Sequence, residues 1–330
     1  MISGYITGVI DVAVRYALQQ VVVPAGRSLW LYGEPGLAGD EVYQPRADVA
    51  EALKAGGLAV YADPEKRGRE YAAVYAHLPK QREEAEGLLA LALDRSEGFV
   101  MAVARNDAGG SRLRKMLQAY GVTVETAGKA HCTVVWTAEA PKADRARVEE
   151  NLAHLAPRKV ALEGADWWTV PGLFSWNQVD PGSRLLLKHL PPDLKGVVAD
   201  LGSGYGYLST KLAQGWPDIR QIDAYEVDAR AVACCARNGG ERVKAIWQDI
   251  KSWDAAPQYD AVVMNPPFHT GKDEDVSLGR IFVEKAWASV KPGGHVFLVA
   301  NRHLPYEKVV PELHGIHEAE GYKILTGCKA

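Results

Sequence analysis

The sequence predicts an α/β protein with two domains, each built on a mostly parallel β-sheet. In the second half, apolar strands near 197–201, 221–226, 243–247, 259–264 and 295–300 alternate with helical segments near 206–214, 228–238 and 279–290. This alternation is typical of a parallel sheet covered by helices on both faces. The length of 330 residues exceeds what one core usually organises, so we expect domains over 1–150 and 151–330.

Composition narrows the class of protein. The chain is 47% hydrophobic and 24% charged, which is ordinary for a globular protein. The apolar runs are shorter than the ~18 residues that a membrane span needs. Asp11 and Arg15 lie within the apolar segment near the start, which is not typical of a signal peptide. We therefore expect a cytoplasmic protein without membrane contact. The four cysteines lack metal-ligand spacing, so we expect no metal site and no disulfide.

A glycine-rich turn follows the first strand of the second half. It reads Asp-Leu-Gly-Ser-Gly-Tyr-Gly from Asp200 to Gly206, between an apolar strand and a predicted helix. Gly202, Gly204 and Gly206 allow a ligand to approach bare backbone beside a helix N-terminus, where N–H groups are unpaired. Tyr207 stands where a dinucleotide fingerprint has its third glycine, which favours a nucleoside cofactor without a pyrophosphate. Asp200 and Ser203 complete the predicted cofactor loop.

Acidic residues follow the next two strands. An acid about twenty residues after the glycines can bind ribose hydroxyls, and Glu226 is the first choice here, with Asp228 second. Asp249 follows the third strand and is placed to meet an adenine amino group. Taken singly, each acid is more often a helix cap or a solvated loop residue. Their recurrence at successive strand ends favours a nucleoside site at one edge of the sheet.

The fourth strand runs into Asn-Pro-Pro-Phe, residues 265–268. Proline fixes its own φ and holds the preceding residue extended. The side-chain oxygen of Asn265 and the main-chain oxygen of Pro266 can then accept both hydrogens of one amine, while Phe268 stacks on a planar group. A rigid turn after a core strand is the alternative for Asn-Pro-Pro alone. The upstream motifs favour the amine site, with Asn265 at its border with the cofactor.

These ordered motifs resemble those of class I S-adenosylmethionine-dependent amino methyltransferases. Further segments make the chain similar to bacterial ribosomal RNA guanine-N2 methyltransferases, the small-subunit type most closely: Val170–Ser175, Asp180–Leu187, Asn265–His269 and Ala300–Tyr306. The resemblance covers roughly 165–330. This chain departs from the family's usual sequence at Ser203, where a cysteine is common. It also departs at 176–178, where Trp-Asn-Gln replaces the more usual charged residues. The resemblance implies S-adenosyl-L-methionine as cofactor, guanine N2 of ribosomal RNA as methyl acceptor, and two tandem class I methyltransferase-like (Rossmann-like) domains.

The first half carries a faint repeat of the second. Residues 73–80 align without gaps on 261–268, which puts His77 opposite Asn265 and Lys80 opposite Phe268. Residues 99–106 parallel 296–302, and residues 29–36 are a poor echo of the glycine loop. We interpret the first domain as a degenerate duplicate that serves as scaffold and RNA recognition surface, with chance similarity as the alternative. Duplication within one chain favours a monomer.

The net charge of −3 is unusual for an RNA enzyme and argues against a broad non-specific binder. Local basic clusters nevertheless suit docking on ribosomal RNA, within a ribosomal subunit: Lys66, Arg67 and Arg69; Lys80 and Arg82; Arg112, Arg114 and Lys115; Arg158 and Lys159. Each cluster taken alone is more often a solvated helix face.

Alternative functions use the same amine chemistry or none. The acceptor could be adenine N6 or a protein glutamine, although enzymes of the glutamine type usually have a smaller helical first domain. A non-catalytic ribosome-assembly protein is a further alternative, against which the intact Asn-Pro-Pro-Phe argues. We assign His269 no acid–base role, since loop histidines more often form simple hydrogen bonds.

Overall fold

The computed structural model describes residues 4–36, 39–63, 71–267 and 273–330, with side chains from residue 8 in the first range and from residue 277 in the last. The chain divides into two compact units. The first comprises 1–156 with 170–172, and the second comprises 157–169 with 173–330. Each unit contains one seven-stranded sheet with helices, which confirms the predicted α/β class. In the described ranges no helix is both long and apolar enough to span a bilayer.

The first unit begins with a helix and continues through a seven-stranded sheet. Its helices are α1 (Gly4–Leu18), α2 (Ala47–Ala55), α3 (Arg82–Arg95), α4 (Gly110–Gln118) and α5 (Arg145–Leu152). Its strands are β1 (Ser28–Leu31), β2 (Glu41–Tyr43), β3 (Ala59–Tyr61), β4 (Tyr71–His77), β5 (Ser96–Arg105), β6 (Val124–Lys129) and β7 (Cys132–Thr137). The strand order is β3-β2-β1-β4-β5-β7-β6, and β7 is antiparallel to its neighbours.

The second unit opens with a hairpin and then repeats this sheet. The hairpin strands are β8 (Arg158–Leu162) and β9 (Ala165–Thr169). The sheet strands are β10 (Gly196–Leu201), β11 (Ile219–Glu226), β12 (Val243–Trp247), β13 (Tyr259–Met264), β14 (Val290–Asn301), β15 (His314–Ala319) and β16 (Tyr322–Cys328). The helices are α6 (Pro181–His189), α7 (Tyr207–Gly215), α8 (Ala229–Gly239) and α9 (Asp273–Ser289). The order is β12-β11-β10-β13-β14-β16-β15, with β16 antiparallel.

Burial explains why the central strands are continuous apolar runs. Ala261, Val262, Val263 and Met264 of β13 are all at most 1% exposed, because helices cover both faces of the sheet. Parallel pairing of β10 with β11 and β13 brings their carboxyl ends to one edge. Ligands of such sheets bind outside that edge.

The pairing register aligns the two sheets residue by residue. Leu31 pairs with Tyr43 and Ala76, and Leu201 pairs with Tyr225 and Met264. The residues that follow these strands therefore correspond: Tyr32 with Gly202, Glu34 with Gly204, Gln44 with Glu226 and His77 with Asn265. The gapless alignment of 73–80 on 261–268 agrees with this register.

Two local features differ from what the sequence predicts. The Ala-, Lys-, Arg- and Pro-rich segment 140–160 predicts a linker helix that ends at Pro157, but α5 begins after its Asp144 N-cap, ends at Leu152 and is followed by a 3-10 turn at Ala153–Leu155. The sequence Lys-Pro-Gly-Gly at 291–294 predicts a turn before the fifth strand. It is instead an irregularity inside β14, where the register shifts against β13 and Gly293 takes a φ of +77°.

Candidate active site

Three glycines shape the loop after β10. Gly202, Gly204 and Gly206 have φ values of +77°, +55° and +89°, in the left-handed region that L side chains rarely adopt. Gly206 also lies close to α8, because a Cβ there would sit 3.0 Å from the Cα of Cys235. A Cβ on Gly204 would meet nothing within 4 Å. The sequence therefore folds a loop whose backbone at Gly204 borders open space.

Glu226, at the end of β11, is tied to this loop. Its Oε2 accepts the Gly204 N–H at 2.9 Å, and its Oε1 accepts the N–H groups of Val227 and Asp228 at 2.8 and 3.0 Å. Burial raises the pKa of Glu226. A carboxylate offers about four acceptor positions, so one remains on Oε2, next to the glycine loop. That position suits a ribose hydroxyl.

Asp228, the second choice for the ribose, is otherwise engaged. It caps α8 by accepting the Arg230 N–H at 2.9 Å, and its carboxylate pairs with the Arg230 guanidinium at 2.6 Å. These contacts use the acceptor capacity that a ribose would need. The geometry thus favours Glu226 over Asp228.

Asp200 lies beneath the loop. It is fully buried, and its Oδ2 accepts from the Ser209 hydroxyl at 2.6 Å and the Ser209 N–H at 3.1 Å, which fastens the end of β10 to α7. Burial raises its pKa to about 7. These contacts indicate that Asp200 supports the loop from inside.

Asp249 stands beyond the end of β12 and is 8% exposed. Its Oδ1 accepts the Lys251 N–H at 3.0 Å, while its Oδ2 lies 3.8 Å from the Lys251 ammonium. At that distance Oδ2 makes an ion pair without a hydrogen bond. It therefore keeps acceptor capacity of the kind that an adenine amino group needs.

Asn265, directly after β13, has a fixed amide orientation. Its Nδ2 donates to Asp180 Oδ1 at 2.7 Å and to Ser183 Oγ at 2.9 Å. Since an ionised carboxylate only accepts, the atom facing Asp180 must be the NH₂ group. The carbonyl oxygen Oδ1 is buried and has no partner among the described residues. An unsatisfied buried acceptor is costly, so this atom marks a place for a donor.

Asp180 and Ser183 complete this contact, although the sequence motifs predict no site role for either. Asp180 is the N-cap of α6, and its Oδ1 accepts the Ser183 N–H at 2.7 Å as well as the Asn265 amide. Asp followed by Pro at the first helical position is a recognisable helix start. The pattern reveals the cap, but the 85-residue separation from Asn265 hides the second contact.

Pro266 is buried directly after Asn265. Phe268, the predicted stacking residue, lies outside the described residues, as does His269. The described part of the site thus unites Asn265, Glu226 and the glycine loop along one sheet edge.

The corresponding edge of the first unit carries different side chains, which contact one another. The Tyr32 N–H donates to Tyr43 O at 2.8 Å, as the Gly202 N–H donates to Tyr225 O at 2.9 Å. Glu34 replaces Gly204, and its Oε1 lies 3.2 Å from Nδ1 of His77, the counterpart of Asn265. Gln44, in place of Glu226, donates back to Gly33 O at 3.0 Å.

The strand order, the glycine loop and the strand-end acid define a class I methyltransferase domain in the second unit. The residues fit S-adenosylmethionine, because Gly204 leaves backbone beside open space and Glu226 keeps an acceptor next to it. Residues 165–326 match the family model described as methyltransferase small domain.

Comparisons with curated proteins extend the likeness over both units. The chain is 33% identical over 271 residues to ribosomal RNA small subunit methyltransferase C of Pseudomonas paraeruginosa, covering 78% of this chain and 79% of the relative. The Alteromonas mediterranea protein of the same name is 30% identical over 246 residues, covering 72% and 67%. This chain belongs to the ribosomal RNA small subunit methyltransferase C family, and it is an S-adenosylmethionine-dependent methyltransferase.

A solved structure agrees with this assignment. The T. thermophilus 16S rRNA N2 G1207 methyltransferase, in complex with AdoMet and guanosine, is similar with a TM-score of 0.81 and 25% identity. The match covers 99% of this chain and 93% of that one. The prediction of two tandem methyltransferase-like domains is thereby confirmed.

Proposed function

We propose that this protein transfers a methyl group from S-adenosylmethionine to the exocyclic N2 amine of a guanine in small-subunit ribosomal RNA. The observation that carries the proposal is the Asn265 Oδ1 atom, a buried acceptor with no partner among the described residues and a fixed orientation. The T. thermophilus relative, a 16S rRNA N2 G1207 methyltransferase in complex with AdoMet and guanosine, and the names of the curated relatives support this acceptor.

Positioning is the main contribution of the protein. S-adenosylmethionine supplies a methyl group already activated on a sulfonium, so the chain needs no nucleophile of its own. Asn265 Oδ1 and the Pro266 carbonyl accept the two hydrogens of N2 and orient its lone pair. The Asp180 carboxylate, 2.7 Å from Asn265 Nδ2, polarises the amide and strengthens Oδ1 as an acceptor. Oriented acceptors stabilise the positive charge that develops on N2 during transfer.

Phe268 stacks on the guanine in this proposal, a contact worth ~1–3 kcal/mol in single-stranded sites. The target base must be unpaired or extruded from its helix to reach Asn265. The cofactor contacts the loop of Gly202, Ser203, Gly204 and Gly206. Glu226 binds its ribose, and Asp249 binds its adenine. Asn265 also borders the cofactor, and Asp200 supports the loop from beneath.

The first domain, assigned to residues 1–150, serves as scaffold and RNA recognition surface, and residues 151–330 form the catalytic domain. The replacement of Gly204 and Glu226 by Glu34 and Gln44 supports this division of roles. The substrate is ribosomal RNA within a ribosomal subunit, and the protein acts as a cytoplasmic monomer.

Nucleoside mass spectrometry tests the proposal. The protein is incubated with S-adenosylmethionine and, in parallel, with unmodified small subunits, large subunits and naked ribosomal RNA. We expect N2-methylguanosine in small-subunit RNA. N6-methyladenosine would move the function to adenine, and RNA without new methyl groups would contradict an RNA substrate.

A further inference from the structure

The first unit contains a recess at the carboxyl ends of β4 and β5. It is shallow and open to solvent, and its apolar wall includes Leu78, Ala104 and Leu113. By register, Leu78 directly follows the counterpart of Asn265, so the recess corresponds to the methyl-acceptor side of the second unit. On the cofactor side of this edge Glu34 pairs with His77, whereas the recess lies on the acceptor side.

All charged residues that line the recess are basic. They are Lys80, Arg82 and Arg112, so two of the basic clusters found in the sequence meet at one place. Arg82 also pairs with Glu86 at 2.8 Å, and Asp107, next to the lining Ala108, is paired with Arg105 at 2.8 Å. Lys80 and Arg112 are exposed. A third cluster, Lys66, Arg67 and Arg69, lies outside the described residues.

We propose that this recess binds a phosphate and its ribose in the ribosomal RNA backbone. The inference deepens the proposed function and rests on it, because it assumes an RNA substrate. Lys and Arg neutralise backbone phosphates and give affinity without reading sequence. The apolar floor accepts the ribose, and the shallow opening admits backbone more readily than an extruded base. The first unit thereby keeps the acceptor side of its edge as an RNA contact after losing the cofactor side.

Charge reversal tests the contact. The double variant Lys80→Glu/Arg112→Glu is compared with Lys142→Glu/Lys195→Glu, which makes the same charge change at exposed lysines outside the recess. Binding to unmodified small subunits is measured over roughly 0.05–0.3 M salt, a range that includes physiological ionic strength. We expect the recess variant to bind at least ~10-fold more weakly, with a salt slope lower by ~1–2. The control pair should lose much less.

Ala108→Trp separates the recess from general surface charge. It fills the recess without changing net charge, and Ala108 is half-buried, so the fold can accommodate the change. We expect weaker RNA binding, a higher KM for small subunits, unchanged kcat at saturation and unchanged S-adenosylmethionine affinity. Thermal unfolding checks that each variant is folded.

Each outcome has one meaning. RNA affinity and salt slope equal to wild type in both recess variants would overturn the inference, even if wild type methylates guanine. Weaker binding in the recess variants, together with wild-type protein that leaves ribosomal RNA unmethylated, would instead support the recess and contradict the proposed function. Wild-type protein that does not bind RNA would overturn both.

Discussion

The two units share one strand order and one register but differ in the side chains at the edge where ligands bind. At the positions of the proposed site the first unit has other residues: Trp30 for Asp200, Tyr32 for Gly202, Glu34 for Gly204, Gln44 for Glu226 and His77 for Asn265. The backbone has nevertheless been kept. Tyr32 has a φ of +57°, close to that of Gly202.

Specific contacts hold this backbone in the first unit without glycine. A non-glycine residue in the left-handed region costs roughly 1–2 kcal/mol, yet Tyr32 adopts it. Its N–H bonds to Tyr43 O, and its hydroxyl donates to the buried Glu84 at 2.7 Å. The same loop backbone thus forms in both units, although the side chains at this edge differ.

The largest difference should come from Asn265. Asn265→Ala removes the oriented acceptor, and we expect kcat to fall about 10²–10³-fold, the scale of losing one oriented group in an active site. Affinity for S-adenosylmethionine should stay within a few-fold. Single-turnover methylation and calorimetric titration measure the two quantities.

His77→Asn is the matched control, since it introduces an asparagine at the corresponding position of the first unit. It should leave methylation unchanged, because Glu34 occupies the place that corresponds to Gly204. An Asn265→Ala variant as active as wild type would refute the amine-binding role of Asn265.

The next largest effect should come from Asp180, a positioning residue. Asp180→Ala frees the Asn265 amide to rotate, and loss of alignment should lower kcat about 10–100-fold without changing cofactor affinity. Asp180→Asn should recover part of this loss, because its Oδ1 can still accept both the Ser183 N–H and the Asn265 amide. Steady-state kcat and KM on small subunits measure the effect.

Asp144→Ala provides the control for lost capping. Asp144 caps α5 in the first unit by accepting the N–H groups of Ala146 and Arg147. Both alanine variants should lose about 1 kcal/mol of stability, but only Asp180→Ala should lose kcat. Equal kcat in the two variants would show that Asp180 acts only as a helix cap.

Gly206→Ala should weaken the cofactor site. The left-handed φ adds roughly 1–3 kcal/mol of strain, and the new Cβ would crowd Cys235 on α8. We expect S-adenosylmethionine to bind about 10-fold more weakly, equivalent to ~1.4 kcal/mol. Gly36→Ala in the first unit is the control. Gly36 also has a left-handed φ, of +97°, but a Cβ there would meet nothing within 4 Å, so this substitution should cost some stability and no cofactor affinity. Calorimetric titration distinguishes them, and equal affinities would count against the loop as cofactor site.

The sequence predicts the strands and the strand-end residues of the second unit well, because buried parallel strands are apolar runs and their ends carry polar groups. Contacts between distant segments escape it. Nothing in the spacing of Asp180 and Asn265 shows that α6 brings the two together. In the first unit the sequence shows only a poor echo of the glycine loop, since Tyr32 adopts the glycine conformation without being glycine.

The prediction with the smallest expected effect on activity is a pH dependence of stability that the second unit has and the first lacks. Burial raises the pKa of Asp200 from 3.8 to about 7, whereas Trp30 at the corresponding position cannot titrate. The folded state therefore binds this proton more tightly than the unfolded state, so its contribution to stability falls as pH rises from ~4 through ~7 and levels off about one pH unit higher. Asp200→Asn keeps an acceptor for the Ser209 N–H and removes the titration. The Tm of this variant should consequently decline less than that of wild type between pH ~5 and pH ~7. A loss of 1 kcal/mol lowers the Tm by roughly 2–4 °C. A variant whose Tm declines as steeply as that of wild type would assign the dependence to another group.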